Sequence, residues 1–85
     1  MDWDEATQEK FKLMLGKMPI FLRGIAEKKV SDKAESLAMD EGRVLVTEKD
    51  MVDAFFSETP FGFQGPMKND LAEFGIDYIK YGYPK

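Results

Sequence analysis

Pro19-Ile20-Phe21-Leu22-Arg23-Gly24-Ile25-Ala26-Glu27-Lys28-Lys29-Val30-Ser31-Asp32-Lys33-Ala34-Glu35-Ser36-Leu37-Ala38-Met39-Asp40-Glu41-Gly42 is the stretch that decides the fold. Leu22, Ala26, Val30, Ala34, Leu37 and Ala38 recur at steps of three and four, which is one face of a helix. Phe21 and Ile25 widen that stripe, while Glu27, Lys28, Asp32, Lys33 and Glu35 give the other side a solvated character. Pro19 suits a first helical position, and Gly42 suits the residue just past the end. A helix from about Pro19 to Glu41 follows. Gly24 weakens it by about 1 kcal/mol relative to alanine. The alanines let a second helix approach closely, and Leu37 is expected to be the large side chain filling that contact.

The same logic extends outward. Asp4 reads as the cap of a preceding helix, with Glu5 at the positive end of its dipole and Trp3 packing back on the first turn. Thr7, Phe11, Met14, Leu15 and Met18 form its buried face. Gly16 and the Met18-Pro19 pair end it, since a residue before proline is pushed out of the α region. Val44-Leu45-Val46 allows at most a short extended segment. Thr47 with Asp50 resembles a capping box opening a third helix over Met51, Val52, Ala54, Phe55 and Phe56, which stops before Thr59-Pro60. Phe61-Gly62-Phe63-Gln64-Gly65-Pro66 reads as an aromatic loop. Pro66 then opens a fourth helix, in which Met67, Leu71 and Phe74 share a face and Gly75 closes the end. The fold class is therefore all-α, a small bundle of about four helices with room for one short β pairing. Residues 1–58 form the helical domain; residues 59–85 supply the aromatic loop, the short helix and a Tyr-rich tail packed on it or extending it.

Composition narrows the function classes. With 44% apolar residues and 13% aromatics, 85 residues can close one core. There is no cysteine and no histidine, so thiolate chemistry, Cys-held zinc or iron–sulfur clusters and the usual near-neutral base are missing. No catalytic residue, cofactor or metal is assigned. The net charge of −4 argues against a nucleic-acid partner, because phosphate contacts need a basic surplus. Arg23, Lys28, Lys29 and Lys33 are basic but are interrupted by Glu27, Asp32 and Glu35. The acidic start lacks a signal-peptide pattern, and no apolar run reaches the roughly 20 residues of a membrane span. A cytoplasmic location and no membrane partner are the expectations.

Asp2, Asp4, Glu5, Asp40 and Glu41 read as helix-end charges, not as paired catalytic acids. Core positions are expected for Met14, Phe21, Met51, Phe55 and Leu71. Four side chains are left as candidates for touching a partner, which is expected to be another protein. Phe61, Phe63 and Tyr81 belong to the aromatic loop and tail; Arg23 follows an apolar pair at a helix start and has Glu35 or the C-terminal segment as possible neighbours.

The order of these features carries a resemblance. Trp3-Asp4-Glu5 comes first, then Met18-Pro19-Ile20-Phe21-Leu22-Arg23, then Glu35 and Ala38, Gly42, Val46-Thr47, and Val52 with Ala54. This resembles the PCP-reductase domain, the small C-terminal domain of the B subunit of light-independent protochlorophyllide reductase. The likeness runs from about Trp3 to Phe55, and its most specific piece is Pro19-x-Phe21-x-Arg23 with Trp3 and Gly42 in place. The parent enzyme is nitrogenase-like and reduces a ring double bond of its pigment with ATP-driven electrons. Its cluster ligands and pigment cavity lie largely in a catalytic body that is not in this chain. The resemblance therefore implies a stand-alone accessory domain, not an enzyme: a non-catalytic interaction or assembly module. The alternative it raises is an accessory contacting a tetrapyrrole or a reductase complex in chlorophyll biosynthesis. A DNA-binding helical domain is disfavoured by charge.

Overall fold

Asp2–Trp3 (β1) and Leu45–Val46 (β2) pair in parallel in the computed structural model, which describes all 85 residues; Asp2 stands opposite Leu45 and Trp3 opposite Val46. Each strand runs straight into a helix. Asp4 follows β1, donates its N–H to the Val46 carbonyl at 2.9 Å, and caps α1 (Glu5–Gly16). Its carboxylate accepts from the Thr7 N–H at 3.0 Å and the Thr7 hydroxyl at 2.8 Å. Thr47 follows β2 and closes a capping box with Asp50 at the start of α3 (Glu48–Glu58). The small sheet thus sets the starts of α1 and α3 side by side, and each cap satisfies N–H groups that a helix start leaves free.

Between them runs α2 (Ile20–Asp40), for which Pro19 is the cap and not the first residue. It ends in a Schellman turn: Gly42 at φ +71° sends its N–H to Met39 O, and Arg43 sends its own to Ala38 O. Two expectations about α2 need correction. Val30, Ala34 and Ala38 are its fully buried residues, and Leu37 is only half-buried and stands outside the core. α2 packs most extensively against α3, and on it the small Ala34 and Ala38 are fully buried while Leu37 is not. Phe21, Leu22 and Ile25, expected inside, are 77%, 43% and 59% exposed. The cause is where the chain goes next. α3 ends at Glu58, and Pro60 diverts the backbone into a 3₁₀ turn (Phe61–Phe63) and α4 (Gln64–Glu73). Gln64 ties that turn to α3 by donating to the Phe56 and Thr59 carbonyls, both at 3.2 Å. Nothing is left to cover the first half of α2.

The fourth helix begins two residues before Pro66, which sits in the first turn where its missing N–H costs nothing. Gly75, at φ +75°, closes a second Schellman turn with Gly75 N–H to Ala72 O and Ile76 N–H to Leu71 O. The tail is held down, not frayed. Ile76 and Tyr78 join the single core cluster alongside Phe11, Met14, Met51 and Phe55, so residues from both stretches of the chain share one interior. Tyr83 stacks on Phe56 with ring centres 3.8 Å apart. Trp3 packs farther along α1 than its first turn, stacking on Phe11 at 4.9 Å, and its indole N–H donates to Glu35 at 3.1 Å. No helix is long and apolar enough to cross a membrane.

Candidate functional site

The uncovered half of α2 borders an apolar groove of about 380 Å³. Met18, Leu22, Ile25 and Ala26 line one side; Phe55, Thr59 and Pro60 line the other. Phe21 projects from the same half of the helix beside it. The groove exists because α3 stops short: its last turn meets α2 near Val30, and Pro60 then leads the chain away. Its two rims differ in charge. Lys29 stands on the α2 side and Glu58 on the α3 side. Both are exposed, and neither forms an ion pair within the chain, although Lys10, Lys12, Lys17, Lys28 and Lys49 all do.

The four candidate side chains lie in different places. Arg23 is half-buried and turned back on the preceding helix. Its Nε donates to the Leu15 and Met18 carbonyls at 3.1 and 3.0 Å, and Nη2 donates to the Gly16 carbonyl at 3.1 Å. It is thus the cation at the C-terminus of α1, where free carbonyls and the helix dipole favour positive charge. Glu35 is engaged by Trp3 instead. Tyr81 donates its hydroxyl to Glu48 at 2.8 Å. Burial and that carboxylate push its phenol up to about 12. Glu48 also accepts from Lys10 of α1 at 2.8 Å. Burial pushes the Glu48 carboxyl up, but Lys10 and Tyr81 outweigh it and hold the group below its ordinary value.

Phe61 and Phe63 remain 89% and 68% exposed. Phe61 borders a second hollow of about 360 Å³ whose polar lining includes Asp53, Gln64 and Lys68. Asp53 there is taken up by Tyr83 and Lys49, and Gln64 by two carbonyls. No buried side-chain nitrogen or oxygen in the protein lacks a hydrogen-bond partner, and no three carboxylates gather where one ion could sit. The groove beside α2 therefore offers apolar contact with a charged rim, and the chemistry it suits is docking.

Sequence reasoning missed Lys29 and Glu58 as rim residues and put Phe21, Leu22 and Ile25 in the core. One signal was present. Ile25 and Ala34 lie about two and a half helical turns apart, so they point to opposite sides; an apolar arc containing both is too wide for one partner.

No protein-family model matches the chain, and no curated protein or solved structure matches it.

Proposed function

We propose that this protein is a non-catalytic interaction or assembly module related to the PCP-reductase domain, and that it docks through the first half of α2. The observation that carries the reading is the exposure of Phe21, Leu22 and Ile25 beside an apolar groove. Contiguous apolar surface rimmed by polar groups is the usual mark of a docking site. Supporting the relationship, the residues that carry the resemblance hold one another in place: Trp3 bonds Glu35, Arg23 caps the helix before Pro19, and Gly42 closes the helix that contains Ala38.

The test uses a B subunit of light-independent protochlorophyllide reductase trimmed of its own C-terminal domain. The expected result is saturable binding of this chain in calorimetry. Ile25→Asp should abolish it, and Val44→Asp, at an exposed site outside the groove, should leave it intact. Binding that ignores Ile25→Asp would remove the docking face from the proposal. No binding by the folded wild-type chain would remove the link to the reductase.

A further inference from the structure

We infer that the occupant of the α2 groove is a second copy of this chain, related by a two-fold axis. This rests on reading the α2 face as a docking surface. In an isologous pair the same patch faces itself, so each residue i that meets j is matched by j meeting i. The groove suits that arrangement. Its lining, with Leu22, Ile25 and Phe55, is apolar between rims of opposite sign, and exposed Phe21 stands beside it. Two-fold pairing sets Lys29 of one protomer against Glu58 of the other, and the same contact again on the far side of the axis. These two side chains are left without an ion-pair partner in the monomer.

Area sets the strength. The exposed apolar side chains at the centre of the face are few, Phe21, Leu22 and Ile25, while a stable interface of ordinary size takes roughly 800 Å² from each partner. The pair therefore belongs with small, reversible interfaces, and association is expected between about 10 µM and 1 mM. A lipid surface is the weaker occupant. The net charge is −4, and Lys28, next to the apolar face, is already paired with Asp32 at 2.9 Å.

The rim charges make the inference testable by exchange, because like charges facing each other across an interface are costly. Sedimentation equilibrium of the full chain across that concentration range should show a monomer–dimer equilibrium. Lys29→Glu places two carboxylates across each rim contact, and Glu58→Lys places two ammonium groups there. Each variant alone should associate at least about tenfold more weakly. An equimolar mixture of the two should recover association, because each protomer then meets its opposite at both contacts. Circular dichroism confirms that the exposed substitutions leave the fold intact.

A wild-type chain that stays monomeric at 1 mM overturns the inference, as does a mixture no tighter than its parts. Co-sedimentation of the monomer with phosphatidylcholine vesicles would overturn it in favour of lipid. If the chain is monomeric while Ile25→Asp still abolishes binding to the trimmed reductase subunit, self-pairing fails and the docking face stands. If Ile25→Asp affects neither, both fall.

Discussion

Asp50 is a carboxylate 3% exposed to solvent, and four donors converge on it. It accepts from Arg43 Nη1 at 2.7 Å and Nη2 at 2.8 Å, from the Thr47 N–H at 2.9 Å and from the Thr47 hydroxyl at 3.1 Å. Burial pushes its carboxyl up, and these four donors together hold it below the ordinary value of 3.8. One side chain thus ties the end of α2, through Arg43, to the start of α3. Asp50→Ala removes a cap and a charge-assisted pair, so it should cost about 2–4 kcal/mol in urea unfolding at pH 7. The sign with pH follows from the lowered pKa. The carboxylate's contribution is whole above the ordinary value and disappears as pH falls through the lowered one. The gap between wild type and Asp50→Asn should therefore narrow toward pH 2; a gap independent of pH would mean the ion pair contributes nothing.

Tyr81 and Tyr83 behave in the opposite sense. Burial and the carboxylates of Glu48 and Asp53 push both phenols up to about 12. The fold favours their neutral forms, so the stability they add is full below pH 10 and is lost as pH climbs through 12. Absorbance of phenolate against pH should show a late step near 12 that loses amplitude in Tyr81→Phe and again in Tyr83→Phe. Titration of Tyr81 and Tyr83 near 10 would mean that the tail does not pack on α3.

At the scale of the element, α2 shows what a sequence can and cannot disclose. Its length, its glycine stop and the burial of Val30, Ala34 and Ala38 follow from spacing alone. So do the capped starts of α1 and α3, because Asp4, Thr47 and Asp50 bond within their own first turns. What spacing does not disclose is how far the covering helix extends. Periodicity says which residues share a side; it does not say where a neighbour ends. Phe21 and Ile25 read as interior for that reason, and the groove arises from the diversion of the chain at Pro60, which periodicity does not disclose. Arg23 was legible as a residue in need of a partner, but the carbonyls of Leu15, Gly16 and Met18 become its partners only through the turn at Pro19. The observed packing changes which α2 substitution should destabilise the fold, since Leu37 does not fill the contact as expected from the spacing. Leu37→Ala, at a half-buried flank, should cost less than about 1 kcal/mol. Ala34→Leu forces extra carbons into a fully buried position and should cost about 1–3 kcal/mol or more. Thermal melts of the two variants side by side decide between the packings; a larger loss for Leu37→Ala would restore the original one.

For the whole molecule, the decisive issue is how a chain of 85 residues holds a core together. Proteins of this size have little surplus: total stability is on the order of 5 kcal/mol. The last ten residues, 76–85, carry a large share of it although they contain only one short 3₁₀ turn, Tyr78–Tyr81. Ile76 is 2% exposed and Tyr78 8%, and burying each contributes about 1.5–3 kcal/mol. Tyr81 adds a hydrogen bond to Glu48, and Tyr83 adds one to Asp53, each about 1 kcal/mol. The Phe56–Tyr83 stack contributes about 0.5–1.5 kcal/mol more. The entropy of ordering the tail offsets part of this, yet removing it also uncovers Phe56 and opens the second Schellman turn, whose closing N–H belongs to Ile76. A chain ending at Gly75 should therefore be largely unfolded at 25 °C, with most of its helical circular dichroism gone. A chain ending at Tyr83 keeps every one of these contacts and should melt within a few degrees of the full-length protein. If the shorter chain melts like the longer one, the tail is a passenger on a core made by the four α-helices and β2 without it, and the single-core description fails with it.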